Sequence, residues 1–256
     1  MAQGPLAEES EGPLMSPIVL PTAYLAPITY YAVLYAADEV VIEAHEHYTK
    51  QTLRTRCTIA TDQGPQTLSV NVEKGNKLKM PIREVRLSSH GDWQRQHLYS
   101  WATYYGNSPF YEYYIDDLRE TFLHGHDGTL FGMNEALRRH ICREIGFEPK
   151  VRYSEQWMGP LDCVAPNGTF KPETFSHVLG KIEVPAYYQV AGVEGRQPFM
   201  ADVSILDLLF NMGPEAILVL EKTPSVLRTP SIPRTAGAEY LLRGMTCESR
   251  AGSSSV

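Results

Sequence analysis

The stretch "PIVLPTAYLAPITYYAVLYAADEVVIEA" (Pro17–Ala44) decides the fold, because from Met15 to Ala37 the chain carries no charged side chain. A run of that length reaches the roughly 20 residues a membrane-spanning helix needs. Its content argues otherwise. Pro17, Pro21 and Pro27 interrupt the first half, since each lacks an amide donor and crowds the turn before it. Four tyrosines and two threonines are mixed in, and no Lys or Arg appears on either flank until Lys50. No membrane span is expected.

Read as part of a water-soluble domain, the same stretch divides cleanly. "PIVLP" is a short apolar strand, "TAYLAP" a loop, "ITYYAVLYAA" a helix that Pro27 precedes or begins, and "EVVIEA" a second strand too apolar for an exposed edge. Strand, helix and strand within about thirty residues make a βαβ unit, which requires a parallel pair. The expected class is therefore α/β: an N-terminal βαβ unit and a mixed sheet with a helical middle segment, in one domain. Ligands in such sheets sit beyond the carboxyl ends of the strands, which places the Leu20–Pro27 loop, with Tyr24, where a pocket wall belongs. That loop has no glycine, so it is not a phosphate-cradling loop. The alternative is that its aromatics are packed core.

"KQTLRTRCTIA" alternates, with Lys50, Thr52, Arg54, Arg56 and Thr58 on one face and Leu53, Cys57 and Ile59 on the other. "TDQGPQ" supplies a turn and "TLSVNV" a returning hairpin strand. Three cations on one face form an anion cradle, because the guanidinium fork matches phosphate or carboxylate. A solvated strand face gives the same pattern. "KGNKLKMP" reads as a basic loop and "IREVRLSS" as a further strand.

Downstream, Trp93, His97, Trp101 and Tyr104 recur at helical spacing, so His97 is either a satisfied core residue or a general base facing a pocket. "FYEYYIDDLRETFL" continues as a second helix with Phe110, Tyr114, Leu118 and Phe122 inward. "TLFGMNEALRRHICREIG" is a third, stopping at Gly146. "HEH" (His45, His47) and "LHGHDG" (His124, His126) lack a third ligand, and no metal site is assigned. In the last third "PKVRYSEQW" is a strand and "AYYQV" a candidate strand. The long loop-rich run "MGPLDCVAPNGTFKPETFSHVLGKIEVP" reads as a lid. "MADVSILDLLFNMGPEAILVLEK" begins at an Asp or Ser cap and breaks at Gly213–Pro214. Asp207, inside that apolar helix, needs a partner, and an arginine of the basic strand is one.

The composition sets outer limits. A net charge of −7 argues against a binder of nucleic-acid polymers. Four scattered cysteines without a CxxC pair suit reduced thiols and a cytoplasmic location. "MAQGPLAEESEGPLM" lacks the basic start of a secretory signal. Residues 1–15 and 223–256 are expected to be disordered, which leaves 16–222 as the domain.

Several of these segments together resemble the WbqC-like family: the opening "LPTAYLAPITYYAVLYAADEVVIEA", "HYTKQTLRTRC", "DWQRQHLYSWATYYGNSPFYEYY", and "YYQV" followed by "SILDLLFNMGPEA". Order and spacing agree from about residue 16 to 222. Where the family opens with a Gln-Pro-Asn-Tyr type segment and sets Asn between its two arginines, this chain has Leu20-Pro21-Thr22 and Thr55. The resemblance implies an association with O-antigen and other surface polysaccharides, and transfer of glycine or a similar acyl group onto a sugar.

The combined expectation is a cytoplasmic transferase that modifies an activated sugar or glycan precursor in polysaccharide biosynthesis. Lys50, Arg54 and Arg56 grip a phosphate or carboxylate, and Tyr24, Trp93 and Tyr104 line the substrate. His97 and Asp207 are the catalytic pair. Its partners are a small-molecule or nucleotide-sugar substrate and other enzymes of polysaccharide biosynthesis; the cofactor is unknown. The alternative is a non-catalytic sugar- or nucleotide-binding accessory protein.

Overall fold

The computed structural model describes residues 18–73, 79–158, 183–191 and 197–223. The two expected disordered ends apart from Thr223, which is buried against the last helix, most of the basic 74–79 loop and nearly all of the expected lid lie outside the described residues. What remains is a single α/β domain.

The opening stretch forms the βαβ unit that its composition predicts. Strand β1 (Ile18–Pro21) leads through a loop to helix α1 (Ile28–Ala36) and then to β2 (Val40–Glu43). The two strands are parallel, with Ile18 opposite Val40 and Pro21 opposite Glu43. Two further strands, β3 (Arg56–Thr61) and β4 (Gly64–Ser69), form the hairpin, and β5 (Val151–Tyr153) joins β2 in parallel on its other side. β2 is thus central, and all four of its residues are buried, as the absence of a polar face requires. Pro21 and Pro27 fall at the end of a strand and at a helix N-cap, positions that need no amide donor. Parallel and antiparallel pairs occupy two separate sheets, ordered β1-β2-β5 and β3-β4.

The hairpin begins later than its alternation predicts. Residues 50–55 are turn, not strand, because the Thr52 carbonyl accepts from the Thr55 and Arg56 amides at 3.1 and 3.0 Å. Gln51 sits at a positive φ of 61°, which no strand accommodates. Lys50 and Arg54 therefore do not share a strand face with Arg56. "IREVRLSS" is likewise not a ladder strand: Ile82–Glu84 is a short 3-10 turn, followed by single bridges from Arg86 to Thr129 and from Leu87 to Val72. "AYYQV" makes no ladder either.

Three helices follow: α2 (Trp93–Tyr105), α3 (Tyr111–His124) and α4 (Leu130–Ile145), with α3 packed between α2 and α4. On α2 the buried stripe is Trp93, His97, Trp101 and Tyr105, each four residues after the last, while Tyr104 is half-buried. α4 is capped by the Thr129 hydroxyl on the Gly132 amide at 2.9 Å. It ends at Gly146, whose φ of 91° lets its amide turn back to the Cys142 and Arg143 carbonyls. The chain closes with α5 (Ile205–Met212), capped by Ser204, and α6 (Ala216–Lys222). Both pack on α1, which is apolar all round and is enclosed for that reason.

Candidate functional site

A cleft of about 270 Å3 opens between the hairpin and the segment that enters α5. The turn contributes Gln51, Thr52 and Leu53; the hairpin contributes Arg56, Thr58 and Thr67; the far wall is Pro27, Asp202 and Ser204. Main-chain bonds set the walls: Pro27 and Ser204 form an antiparallel bridge, the Ser204 amide reaches the Thr58 carbonyl at 2.6 Å, and the Ile28 amide reaches the Val203 carbonyl at 3.1 Å. Strand alternation then turns Cys57 and Leu68 into the core and Arg56, Thr58 and Thr67 into the cleft.

Two of the lining groups are charged. Arg56 is half-buried and has no carboxylate partner among the described residues. Asp202 is exposed as a residue, but its carboxyl is tucked against α1, where Oδ1 accepts from the Thr29 hydroxyl at 2.9 Å and from its amide at 3.3 Å. Desolvation of that carboxyl raises its pKa above the usual aspartate range, and the two Thr29 bonds oppose the rise. Oδ2 makes no hydrogen bond among the described residues. Asp202 was not expected from sequence; it is one of several polar residues ahead of a helix cap, and only the Thr29 contact distinguishes it.

Arg54, expected beside Arg56 in an anion cradle, turns the other way. It forms a two-pronged ion pair with Glu46, with Nε 2.6 Å from Oε1 and Nη2 on Oε2. The two side chains are only 12% and 8% exposed, so this pair is structural. The Arg54 carbonyl accepts from Asn134 of α4 at 3.0 Å. Nearby, α4 and the end of β2 hold more buried charge. Glu135 binds Arg138 through both Nε and Nη2 (2.9 and 2.8 Å) and accepts from Tyr153 at 3.1 Å. Glu43 accepts from the Ser154 hydroxyl and from the His45 and Met158 amides, each at 2.7 Å. The carboxyl ends of the strands, the expected ligand mouth, are thus filled by a paired network. Lys50 is exposed on the turn.

His97 does not meet the arginines. It is 3% exposed, stacked on Phe122 with the rings 7° from parallel, and edge-on to Trp93. Its Nδ1 accepts from the Tyr24 hydroxyl at 2.7 Å. Burial pushes its pKa down to about 4, and a bond to the Ser69 backbone opposes that shift only in part. A bond that favours the protonated ring must run to the Ser69 carbonyl, which leaves both ring nitrogens engaged. Tyr24 is fully buried and Trp93 donates its indole N–H to the Ser88 carbonyl at 2.8 Å. Of the predicted loop wall Leu20–Pro27, only Pro27 lines the cleft.

Asp207 has no arginine partner among the described residues. Its Oδ2 accepts from Tyr187 at 2.5 Å and Gln189 at 2.7 Å, and Asn211, one turn on, accepts from the Val190 amide at 3.1 Å. Residues 187–190 are thereby clasped onto α5. Desolvation raises the Asp207 pKa to about 6, against hydrogen bonds from Tyr187, Gln189 and, least, Tyr105. Oδ1 has no hydrogen-bond partner among the described residues.

His126 caps the α3–α4 turn, with Nε2 on the Phe122 carbonyl and Nδ1 accepting from Gly128. No group of three metal-ligating side chains occurs among the described residues. No helix among the described residues is long and apolar enough to cross a membrane.

Comparison with known proteins places the chain. The model of the WbqC-like protein family matches residues 22–163, more than half of the sequence, and the chain belongs to that family. It is also similar to the Mycobacterium tuberculosis protein described as "Uncharacterized protein Rv1507c". The two are 26% identical over 211 residues, 73% of this chain and 89% of that one. No solved structure matches at a significant level.

Proposed function

Taking the chain as a WbqC-like protein, we propose that it is a transferase that places an acyl group, of the aminoacyl or glycine type or a relative of it, on an activated sugar or glycan precursor. The observation that carries this reading is the pairing of Arg56 and Asp202 in one cleft, each without a protein partner of opposite charge among the described residues. A half-buried guanidinium with no carboxylate of its own is suited to an anionic substituent of the ligand. Gln51, Thr52, Thr58 and Thr67 offer the hydrogen bonds that sugar hydroxyls require.

In the transfer step the sugar nitrogen or oxygen attacks the carbonyl carbon of an acyl ester or thioester donor. The new bond forms at that carbon, the bond to the donor's leaving group breaks with its electron pair, and the attacking atom's proton passes to Asp202 Oδ2. An aspartate with a raised pKa is the better acceptor for that proton. His97 and Tyr24 act at a distance in this reading. Their hydrogen bond, with the Tyr24 amide on the Leu53 carbonyl at 2.8 Å, positions the turn that presents Arg56. Trp93 supports them, Arg54 holds the turn against Glu46, and Asp207 anchors α5. The location in this reading is cytoplasmic, beside other enzymes of polysaccharide biosynthesis.

One observation favours a non-catalytic sugar- or nucleotide-binding accessory role instead: the imidazole expected to do the chemistry is locked in the core. Thermal-shift screening of the full chain and of Arg56→Ala against nucleotide-sugars, sugar phosphates and acyl donors separates the readings. Stabilisation that requires Arg56, together with turnover when donor and acceptor are mixed, supports the transferase. Stabilisation without turnover supports the accessory protein, and stabilisation unaffected by Arg56→Ala removes the cleft from both.

A further inference from the structure

The two charges of the cleft also constrain the acceptor. A ligand bearing only an anion would satisfy Arg56 and leave Asp202 facing it as a like charge. A ligand with only hydroxyls would leave Arg56 without a counter-charge. From the opposed, unpaired guanidinium and carboxylate on the two walls of one hydroxyl-lined cleft, we infer that the acceptor is an amino sugar carrying a phosphate. Its phosphate lies on Arg56, its ammonium on Asp202 Oδ2, and its hydroxyls on the side chains of the turn and hairpin. This rests on the reading of the cleft as the ligand site and adds the ligand's class to it.

Three features support this assignment. Asp202 is oriented by Thr29 through Oδ1 alone, so its second oxygen is left for the ligand. Arg56 is held on a ladder strand, with Ser69 opposite, so the guanidinium starts from a fixed backbone. The cleft, at about 270 Å3, sits at the lower edge of the roughly 300–1,000 Å3 of small-molecule sites, which suits one sugar ring and one charged substituent better than a whole nucleotide-sugar. The ammonium so placed gives one proton to Asp202 Oδ2 to become the attacking amine, and the second proton it sheds on acylation leaves with the donor's alkoxide or thiolate, so recognition and chemistry use the same contact.

The test is calorimetric titration of the full chain with glucosamine-6-phosphate, N-acetylglucosamine-6-phosphate, glucose-6-phosphate and glucosamine. The expected order puts glucosamine-6-phosphate first. Loss of the amine in glucose-6-phosphate, or of its charge on acetylation, weakens binding at least about tenfold, the scale of a charge-assisted hydrogen bond. Asp202→Asn keeps the Thr29 contacts and brings the three phosphorylated sugars within about twofold of one another, and Arg56→Gln abolishes the advantage of the phosphate. If wild type binds glucosamine-6-phosphate and glucose-6-phosphate equally and Arg56→Gln weakens both, the amino-sugar assignment falls while the cleft remains the ligand site. If wild type binds none of the four sugars, the assignment and the reading of the cleft fall together.

Discussion

Asp207 and His97 are both buried and both carry displaced pKa values, and their effects on stability run in opposite directions over nearly the same pH range. For Asp207 the folded value is about 6 against a usual 3.8. Between those values the native chain holds a proton that the unfolded chain has released, so stability falls as pH rises through the window and the loss is complete above about pH 6. At about 1.4 kcal/mol per pH unit, the gap amounts to about 3 kcal/mol. For His97 the folded value is about 4 against 6.5. Here the unfolded chain holds the extra proton, so stability rises with pH through the window, again by about 3 kcal/mol. In the wild type the two slopes offset each other. Each single substitution should therefore expose the other group. Relative to wild type, Asp207→Asn is expected to leave a net gain in stability from about pH 4 to about pH 6, and His97→Gln a net loss over the same range. Urea unfolding across that range, with wild type measured alongside, reads both slopes. Glu39 and Asp127, whose pKa values are lowered, add the same background to every curve and cancel in the differences. If the two variants show pH slopes indistinguishable from wild type, neither group is buried in the ionisation state described here.

The remaining predictions concern individual contacts. Arg54→Ala breaks the buried two-pronged ion pair with Glu46 and should cost about 3–5 kcal/mol in chemical denaturation, whereas Arg56→Ala should cost less than about 1 kcal/mol and act on ligand binding. Tyr24→Phe leaves His97 Nδ1 without its donor and should lower stability by about 1–3 kcal/mol; an imidazole titration by NMR should then shift from its position near 4. Gly213→Ala should destabilise by at least about 1 kcal/mol, because its φ is +52° and a Cβ there would lie 2.6 Å from the Phe110 ring.

The opening stretch shows how far sequence alone carries. Its prolines and its unbroken apolar runs pick out β1, α1 and β2, because local sterics and burial act there without help from the rest of the chain. β5 is legible as a strand in "PKVRYSEQW", but its place in the sheet is not, because it pairs with β2 from more than a hundred residues away. The strand from Lys50 fails for a local reason. Thr52 offers a carbonyl to two amides, Gln51 adopts a left-handed conformation, and the turn ends the alternation at Arg56. Asp202 was missed because nothing local distinguishes it; its partner Thr29 is 173 residues away.

That same turn explains why two arginines separated by one residue have different work. A continuous strand would point both at the same side, and the cradle would hold two guanidinium groups whose mutual repulsion a ligand would have to overcome. Breaking the strand after Arg54 sends that side chain to Glu46, where both charges are compensated, and leaves Arg56 alone on the cleft face. Asn134 accepts this arrangement by donating to the Arg54 carbonyl, which a ladder partner would otherwise occupy. Spending one arginine on the turn is what makes the other available: a flexible 51–55 segment would present Arg56 with a range of geometries, and much of its attraction for an anion would go into ordering it. A double-mutant comparison follows. If Glu46→Gln weakens anion binding at Arg56 by a factor similar to Arg54→Ala, while the two together weaken it no further, the ion pair acts as one support for the cleft. Additive losses would mean that Arg54 and Glu46 reach the ligand separately, and the division of labour argued here would be wrong.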